Sequence, residues 1–357
     1  MRARRSMSHR VILPLALCLS IVVLSELPTQ AQARSENRAH MQRAGFTHTG
    51  GKPTPTPAAK PVLKLLWSQE FNGKAGRTSS IARETIAPAR GQVWQAEITG
   101  AGGGNRERQF YTDGVVEYTK SGKVAHYAVE LDGKGNLAIN ARRVVPKSGA
   151  RPSNAPAGTC WYGPCEFVSG RINTRGTVGF QYGLIEARIK VPNAWNSWPA
   201  FWLLGANIGE VDWPACGEID IMEAAANGAR YWTHFGTLHS YPSDGFGVGS
   251  GSRYLEDLYT KYHVFGILWD KSKVQWRLDG KPFFTATKAG VTRGDWKFPR
   301  SWPFDQEMFM ILNVAMGGTL GGDANGDVDP DSMGGTMLVD WVRYSSVNGV
   351  GKVVRHS

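Results

Sequence analysis

Between residue 63 and about residue 344 the chain is a succession of short apolar or alternating runs, each closed by Gly, Asn, Asp or Pro. Residues 127–131, 136–140, 184–191, 263–269 and 274–278 are examples. A side-chain period of two over four to eight residues is the pattern of a half-buried strand. The 3.6-residue period of a helix is nearly absent, and one short helix is expected at 254–259. The run Leu278-Asp279-Gly280-Lys281 places an Asp-Gly pair between two strands, a strong hairpin signal. Such regularly spaced short strands suggest an all-β sandwich or barrel. The parts expected are two antiparallel sheets packed face to face, with long Gly-rich loops between them. No fixed-period repeat and no second linker divides the region, so residues 62–346 are read as one domain, followed by a tail at 347–357.

One of these runs carries three acids. In Gly217-Glu218-Ile219-Asp220-Ile221-Met222-Glu223 the isoleucines alternate with Glu218 and Asp220. Strict alternation would put Met222 on the acid face next, but the third acid arrives one residue late. A β-bulge inserts one extra residue and returns Glu223 to the face of the other two. Close carboxylates raise each other's pKa, a cost found mainly where the shift is useful. Trp195, Trp198, Trp202 and Trp213 crowd the approach to this run, and all 13 tryptophans fall in the β region. Some must be core. Flat aromatic faces beside a carboxylate row are also what the apolar faces of sugar rings require.

Three chemistries use clustered carboxylates. Calcium sites space their oxygens around a loop, whereas these acids alternate with isoleucines on a strand. An aspartic-protease dyad takes two Asp from separate segments, whereas two of these acids are Glu and all share one strand. Glycoside hydrolysis needs one acid and one carboxylate, about 5–5.5 Å apart for retention of configuration. Glu218 and Glu223 have Cα atoms roughly 13 Å apart by strand rise, so their side chains must lean together over a concave sheet. Asp220 between them can hold the nucleophile and help keep the other Glu protonated.

With its flanks, the acid run resembles glycoside hydrolase family 16, in its bacterial laminarinase-like branch. The resemblance rests on Trp198-Pro-Ala-Phe-Trp202-Leu-Leu-Gly205 and on Trp213-Pro-Ala-Cys216-Gly followed by the acids. It extends to Trp67-Ser-Gln69-Glu70-Phe, Gly104-Asn105-Arg-Glu107-Arg-Gln109, Ser169-Gly-Arg171-Ile-Asn173, Gly236-Thr-Leu-His239, Leu312-Asn313-Val-Ala-Met and Val339-Asp340-Trp-Val-Arg343. It implies a curved β-jelly roll with an open cleft and retaining, endo-acting hydrolysis of β-glycosidic links without a catalytic cofactor. Glu218 would be the nucleophile, Glu223 the general acid/base and Asp220 the assisting carboxylate. Trp198, Trp202 and Trp213 match sugar-lining positions; Asn105, Glu107 and Arg171 match polar cleft positions; and His239 matches a histidine near the catalytic strand. Met222 is read as the extra residue of the bulge, which the lichenase-like and plant xyloglucan branches lack. Many members hold a structural Ca2+ with carboxylates of the first and last strands, where Glu70 and Asp340 stand; Gln69 replaces an Asp usual beside them.

The expected activity is a β-1,3 or mixed β-1,3/1,4 glucanase acting on a polysaccharide as a monomer. A galactanase on agar- or carrageenan-type polymers, a cell-wall transglycosylase and a non-catalytic glucan-binding protein are the alternatives. Binding proteins on this fold typically lose a catalytic Glu, and all three acids stand here.

The start of the chain concerns location. A basic opening, an apolar run at 11–24 and Ala31-Gln32-Ala33 form the pattern of a secretory signal peptide, cleaved after Ala33. The apolar run is short of the ~20 residues a spanning helix needs. Residues 34–61 are basic and end in a Pro/Thr-rich stretch that favours extended conformations, so they read as a linker. The net charge of +11 excludes little until it is divided: residues 1–33 carry +3 and 34–60 carry +4, leaving +4 for nearly 300 residues. That domain is no polycation, and no nucleic-acid partner is expected. Export permits disulfides. The turn-like spacer between Cys160 and Cys165 favours a local bridge and leaves Cys216 as a buried thiol, with a bridge through Cys216 still open.

Overall fold

The computed structural model describes residues 60–77, 93–144, 159–242, 247, 250–295, 297–323 and 325–356. The leader expected at 1–33 and all but the end of the 34–61 linker lie outside the described residues.

Two large antiparallel sheets form the sandwich. One runs in the order Ser250–Tyr254, Thr233–His239, Glu218–Ala224, Ser197–Gly205, Met308–Met316, Arg171–Asn173, Gln95–Ala96. The other runs Gly76–Arg77, Val129–Leu131, Leu137–Asn140, Thr336–Val347, Gly183–Lys190, His263–Trp269, Lys273–Leu278, Lys281–Thr287, with Leu63–Gln69 paired to the second half of Thr336–Val347. A small third sheet departs from the antiparallel rule, because Phe167–Ser169 lies parallel to Gln109–Tyr111.

Apolar side chains facing inward from both sheets meet in the core, including Phe201, Leu203, Ile219, Met310 and Leu312 from one and Ile185, Phe265, Ile267 and Trp276 from the other. Aromatic pairs stiffen it: Trp67 meets Phe180 edge-on at 5.2 Å, a favoured geometry. Met308–Met316 is buried along its whole length, as a central strand covered on both faces must be.

The Asp279-Gly280 hairpin forms as expected. Both residues have positive φ, 49° and 74°, the backbone of a tight hairpin turn whose twist matches its strands. The helix expected at 254–259 does not form; Leu255 begins a series of turns there, closed by Thr260 N–H to the Asp257 carbonyl at 3.0 Å. The helix of the described residues with full caps is Lys288–Arg293, where Thr287 Oγ1 accepts from Gly290 N and Gly294 ends it at φ 84°. A strongly apolar face is not needed for a one-and-a-half-turn helix held by its caps, so periodicity could not reveal it. The segment read as a tail also differs. Lys352–Arg355 pairs antiparallel with Val178–Gln181, and the end of the chain thus completes a sheet edge. Cys160 and Cys165 form the local disulfide, with Cα atoms 5.1 Å apart, and Cys216 is a buried free thiol.

Candidate active site

Glu218, Asp220 and Glu223 lie on the strand Glu218–Ala224, between Ser197–Gly205 and Thr233–His239. The bulge is present, and its placement corrects one detail. Towards Ser197–Gly205, Met222 pairs with Phe201 and Asp220 with Trp202, so Ile221 is the residue without an opposite number. Towards Thr233–His239, Asp220 faces Thr237 and Glu223 faces Phe235, so Ile221 and Met222 together oppose Gly236. Both side chains of the bulge are buried apolar groups. Their burial anchors the irregularity in the core while the acids are presented on the other face.

The second sheet supports the bulge from behind. The Trp276 indole, fully buried, donates to the main-chain carbonyl of Asp220 at 2.7 Å. A Cβ at Gly236 would lie 2.2 Å from the Trp276 ring, so this position admits only glycine without movement of the indole.

Each acid has its own partner. Trp198 Nε1 donates to Glu223 Oε1 at 2.8 Å, and Trp213 Nε1 donates to Glu218 Oε2 at 2.8 Å. His239 Nε2 approaches Asp220 Oδ2 at 3.1 Å and Glu218 Oε1 at 3.8 Å. The close Asp220 contact is not aligned as a hydrogen bond, and Asp220 Oδ2 is buried without a donor. Trp213 also packs against the His239 ring, with centroids 5.8 Å apart. Trp213 is half exposed at the rim and Trp198 is nearly covered. The two tryptophans thus combine an aromatic wall with a hydrogen bond to a carboxyl group.

Burial dominates the electrostatics. It raises the Glu223 carboxyl to about 8, against the pull of the Trp198 hydrogen bond. Burial also holds Asp220 well above the usual carboxylate range, together with the charge of Glu218 and a hydrogen bond to it. The strand therefore carries two groups that keep a proton near neutral pH. Replacing Trp198 by Phe removes the donor that favours ionised Glu223. The alkaline limb of the activity profile is then expected to move up by roughly one pH unit, read from kcat/KM against pH.

A second cluster sits across Met308–Met316. Glu107 is buried; its Oε2 accepts from Gln109 Nε2 at 2.6 Å and from the Tyr111 hydroxyl at 2.9 Å. Burial raises its pKa, against the pull of Arg171, Gln109, Tyr111 and the Asn105 side chain. The Asn105 carbonyl also accepts from Thr319 N at 2.9 Å. Arg171 pairs with Glu97 at 3.0 Å and lies over the Trp202 ring at 4.9 Å. Trp202 Nε1 donates to Asn313 Oδ1 at 2.8 Å, and Asn313 Nδ2 donates to the Tyr111 hydroxyl at 3.1 Å. Asn105, Glu107, Arg171 and Trp202 are therefore joined in one polar network. Sequence reasoning assigned no role to Glu97, Gln109, Tyr111, Asn313, Gly236 or Trp276. Asn313 had a legible signal, a buried amide within an otherwise apolar strand; the others depend on contacts between segments far apart in the chain.

Glu70 and Asp340 do not fit a calcium pair. Arg343 donates to both Glu70 oxygens, at 3.0 and 2.9 Å, and Arg188 donates to Asp340 at 2.6 Å. Arg343 also feels the charge of Asp340, so guanidinium groups supply the positive charge a cation would bring. A chelator is expected to leave the thermal midpoint of the purified protein unchanged; a drop of several degrees, reversed by Ca2+, would contradict this.

Relatives of known identity share this framework. The chain is 30% identical over 290 residues to a β-glucanase of Rhodothermus marinus, across 79% of this chain and 85% of the relative. It is 32% identical over 290 residues to a glucan endo-1,3-beta-glucosidase of Cryptopygus antarcticus, across 78% and 90%. The X-ray structure of the laminarinase from Rhodothermus marinus superposes with a TM-score of 0.61 at 30% identity, covering 80% of this chain and 98% of that one. The family model described as glycosyl hydrolases family 16 matches residues 115–343, a span that holds the acid strand, its bulge and the tryptophan behind it. Built on that jelly-roll sandwich with its open cleft, the chain belongs to glycosyl hydrolase family 16.

Proposed function

We propose that the protein is a retaining endo-β-glucanase that cuts β-1,3 links, and mixed β-1,3/1,4 links, in glucan. The observation that carries this is the inequality of the acids on one bulged strand. Glu223 holds its proton up to about pH 8, while Glu218 is gripped by an indole at the rim and backed by Asp220 and His239. Glu223 donates its proton to the glycosidic oxygen as the bond to the anomeric carbon breaks. The Glu218 carboxylate attacks that carbon from the opposite side, and a glycosyl ester forms. Glu223, now ionised, takes a proton from water, and the water oxygen displaces Glu218. Asp220 keeps its proton between the two and stabilises negative charge on Glu218 through their hydrogen bond. No metal or organic cofactor is required by these steps.

Export directed by residues 1–33 would bring a monomeric enzyme to a polymer outside the cell. The deciding experiment sets laminarin, lichenan and agarose side by side and follows product size and anomeric form by NMR. Laminarin should yield oligosaccharides that first appear as the β-anomer. Products from agarose alone would favour the galactanase, transfer products in place of hydrolysis would favour the transglycosylase, and binding without products would favour the lectin reading.

A further inference from the structure

Trp195 belongs to neither cluster described above. It lies three residues before Trp198, and its indole is 44% exposed. It is not loose. One side packs on Tyr231, with centroids 5.8 Å apart and planes inclined by 35°. Tyr231 is itself wedged against Trp232 at 4.9 Å and Tyr259 at 4.6 Å. The Trp195 carbonyl is held by the Ser332 hydroxyl at 2.5 Å. An indole propped from behind and open in front is a rigid flat platform, which costs little entropy to use.

This indole lines a cavity of about 470 Å³, within the range of small-ligand sites. The other walls are polar and hydrogen-bonding: Arg106, Asn227, Arg230, Thr319 and Asp323. The turn that forms one wall is fixed by its neighbours. Asn196 Nδ2 donates to the Gly321 carbonyl at 2.8 Å, and Asn227 Nδ2 donates to the carbonyls of Leu320 and Gly322 at 2.9 and 2.8 Å. Asp323 Oδ1 closes the turn by accepting from Asn325 N at 2.7 Å and Asp327 N at 3.0 Å. The cavity is therefore preformed. It adjoins the catalytic strand, since Asn196 N donates to the Ala226 carbonyl at 2.8 Å just beyond Glu223. It adjoins the polar cluster too, through Thr319 N and the Asn105 carbonyl.

We propose that this cavity is an additional glycosyl-binding site, in which Trp195 stacks on a glucosyl ring of the polymer and the surrounding arginine, amide and carboxylate groups bond its hydroxyls. One open aromatic face ringed by planar donors and acceptors is the chemistry that recognises a neutral sugar. A long glucan would occupy the acid row and this cavity together, and a short oligosaccharide only the acid row. The choice of glucan as ligand rests on the proposed activity; the presence of a sugar site does not.

The test uses the full protein carrying Glu218→Gln, so that substrate persists, in native gels containing laminarin. Adding Trp195→Ala should raise the laminarin dissociation constant about tenfold. In the active enzyme the same substitution should lower the ratio of kcat/KM on laminarin to kcat/KM on laminaritriose by a similar factor. Unchanged laminarin binding overturns the proposal. So does an equal fall on both substrates with a shifted pH profile, because Trp195 would then act only by propping Trp198 against Glu223. If Trp195→Ala does not fold, Arg230→Ala decides, with a threefold or larger loss of laminarin affinity expected and no loss overturning the site. A wild type that fails to hydrolyse any glucan defeats the glucanase reading, while the gel still decides whether the cavity binds sugar.

Discussion

Glu223→Gln is expected to lower kcat on laminarin by roughly 10²–10⁴-fold, the range for removing a general acid/base, and Glu218→Gln by at least as much. Both should fold. Glutamine keeps the shape of each side chain and can still accept the indole hydrogen bond from Trp198 or Trp213. Turnover of either variant within tenfold of wild type would end the mechanism. The Glu223 variant carries a second signature. In the folded protein Glu223 titrates at about 8, against 4.5 for the ordinary carboxyl. Between those two values the folded state keeps a proton that the unfolded chain releases. Stability is therefore fully present below about pH 4.5 and declines as pH rises towards 8. Glutamine abolishes this slope. The variant should gain roughly 2–3 kcal/mol over wild type between pH 4.5 and 8, a value discounted for the part of the carboxyl that water reaches. Denaturant midpoints at the two pH values measure it; parallel midpoints for both proteins would show that Glu223 is not the buried acid described here.

The second large effect is expected far from any substrate contact. Gly236→Ala drives a methyl group into the Trp276 ring, at 2.2 Å, directly opposite the Ile221–Met222 bulge. Overpacking of a tight core costs about 1–3 kcal/mol, and displacing Trp276 also strands the Asp220 carbonyl that it satisfies, for about 1 kcal/mol more. A displaced bulge moves Asp220 relative to Glu223, and a shift near 1 Å can cost about 10²-fold in rate. Trp276→Phe separates the two contributions, since it removes the N–H donor without adding a clash. It should lose only about 1–2 kcal/mol and still slow turnover. If Gly236→Ala matched wild type in both thermal midpoint and kcat, the second sheet would not be holding the acid strand.

The strand pattern and the acids were legible from the chain itself, for a simple reason. Period-two alternation records which face of each strand meets the core, and the late arrival of Glu223 records a bulge because a one-residue offset flips every later side chain. The unpaired residue was harder. Ile221 and Met222 are both apolar, and the choice between them depends on which residues of Ser197–Gly205 lie opposite. The short capped helix at Lys288–Arg293 and the terminal strand Lys352–Arg355 were missed because neither has a long apolar period. Glu70 and Asp340 stood in the positions that the family resemblance suggests for calcium, yet Arg343 and Arg188 lie beside them, and only folding brings those arginines there.

Local sequence by itself thus determined an all-β chain, one strand bearing three acids, and aromatic side chains ready to meet a sugar. Tertiary structure alone decided which acid is paired with which indole, and which two keep their protons. It also decided that a tryptophan from the second sheet holds the bulge through the Asp220 carbonyl. Desolvation and hydrogen bonding act over a few ångströms of space, and the groups that impose them on Glu223 and Asp220 come from strands many residues away in the chain.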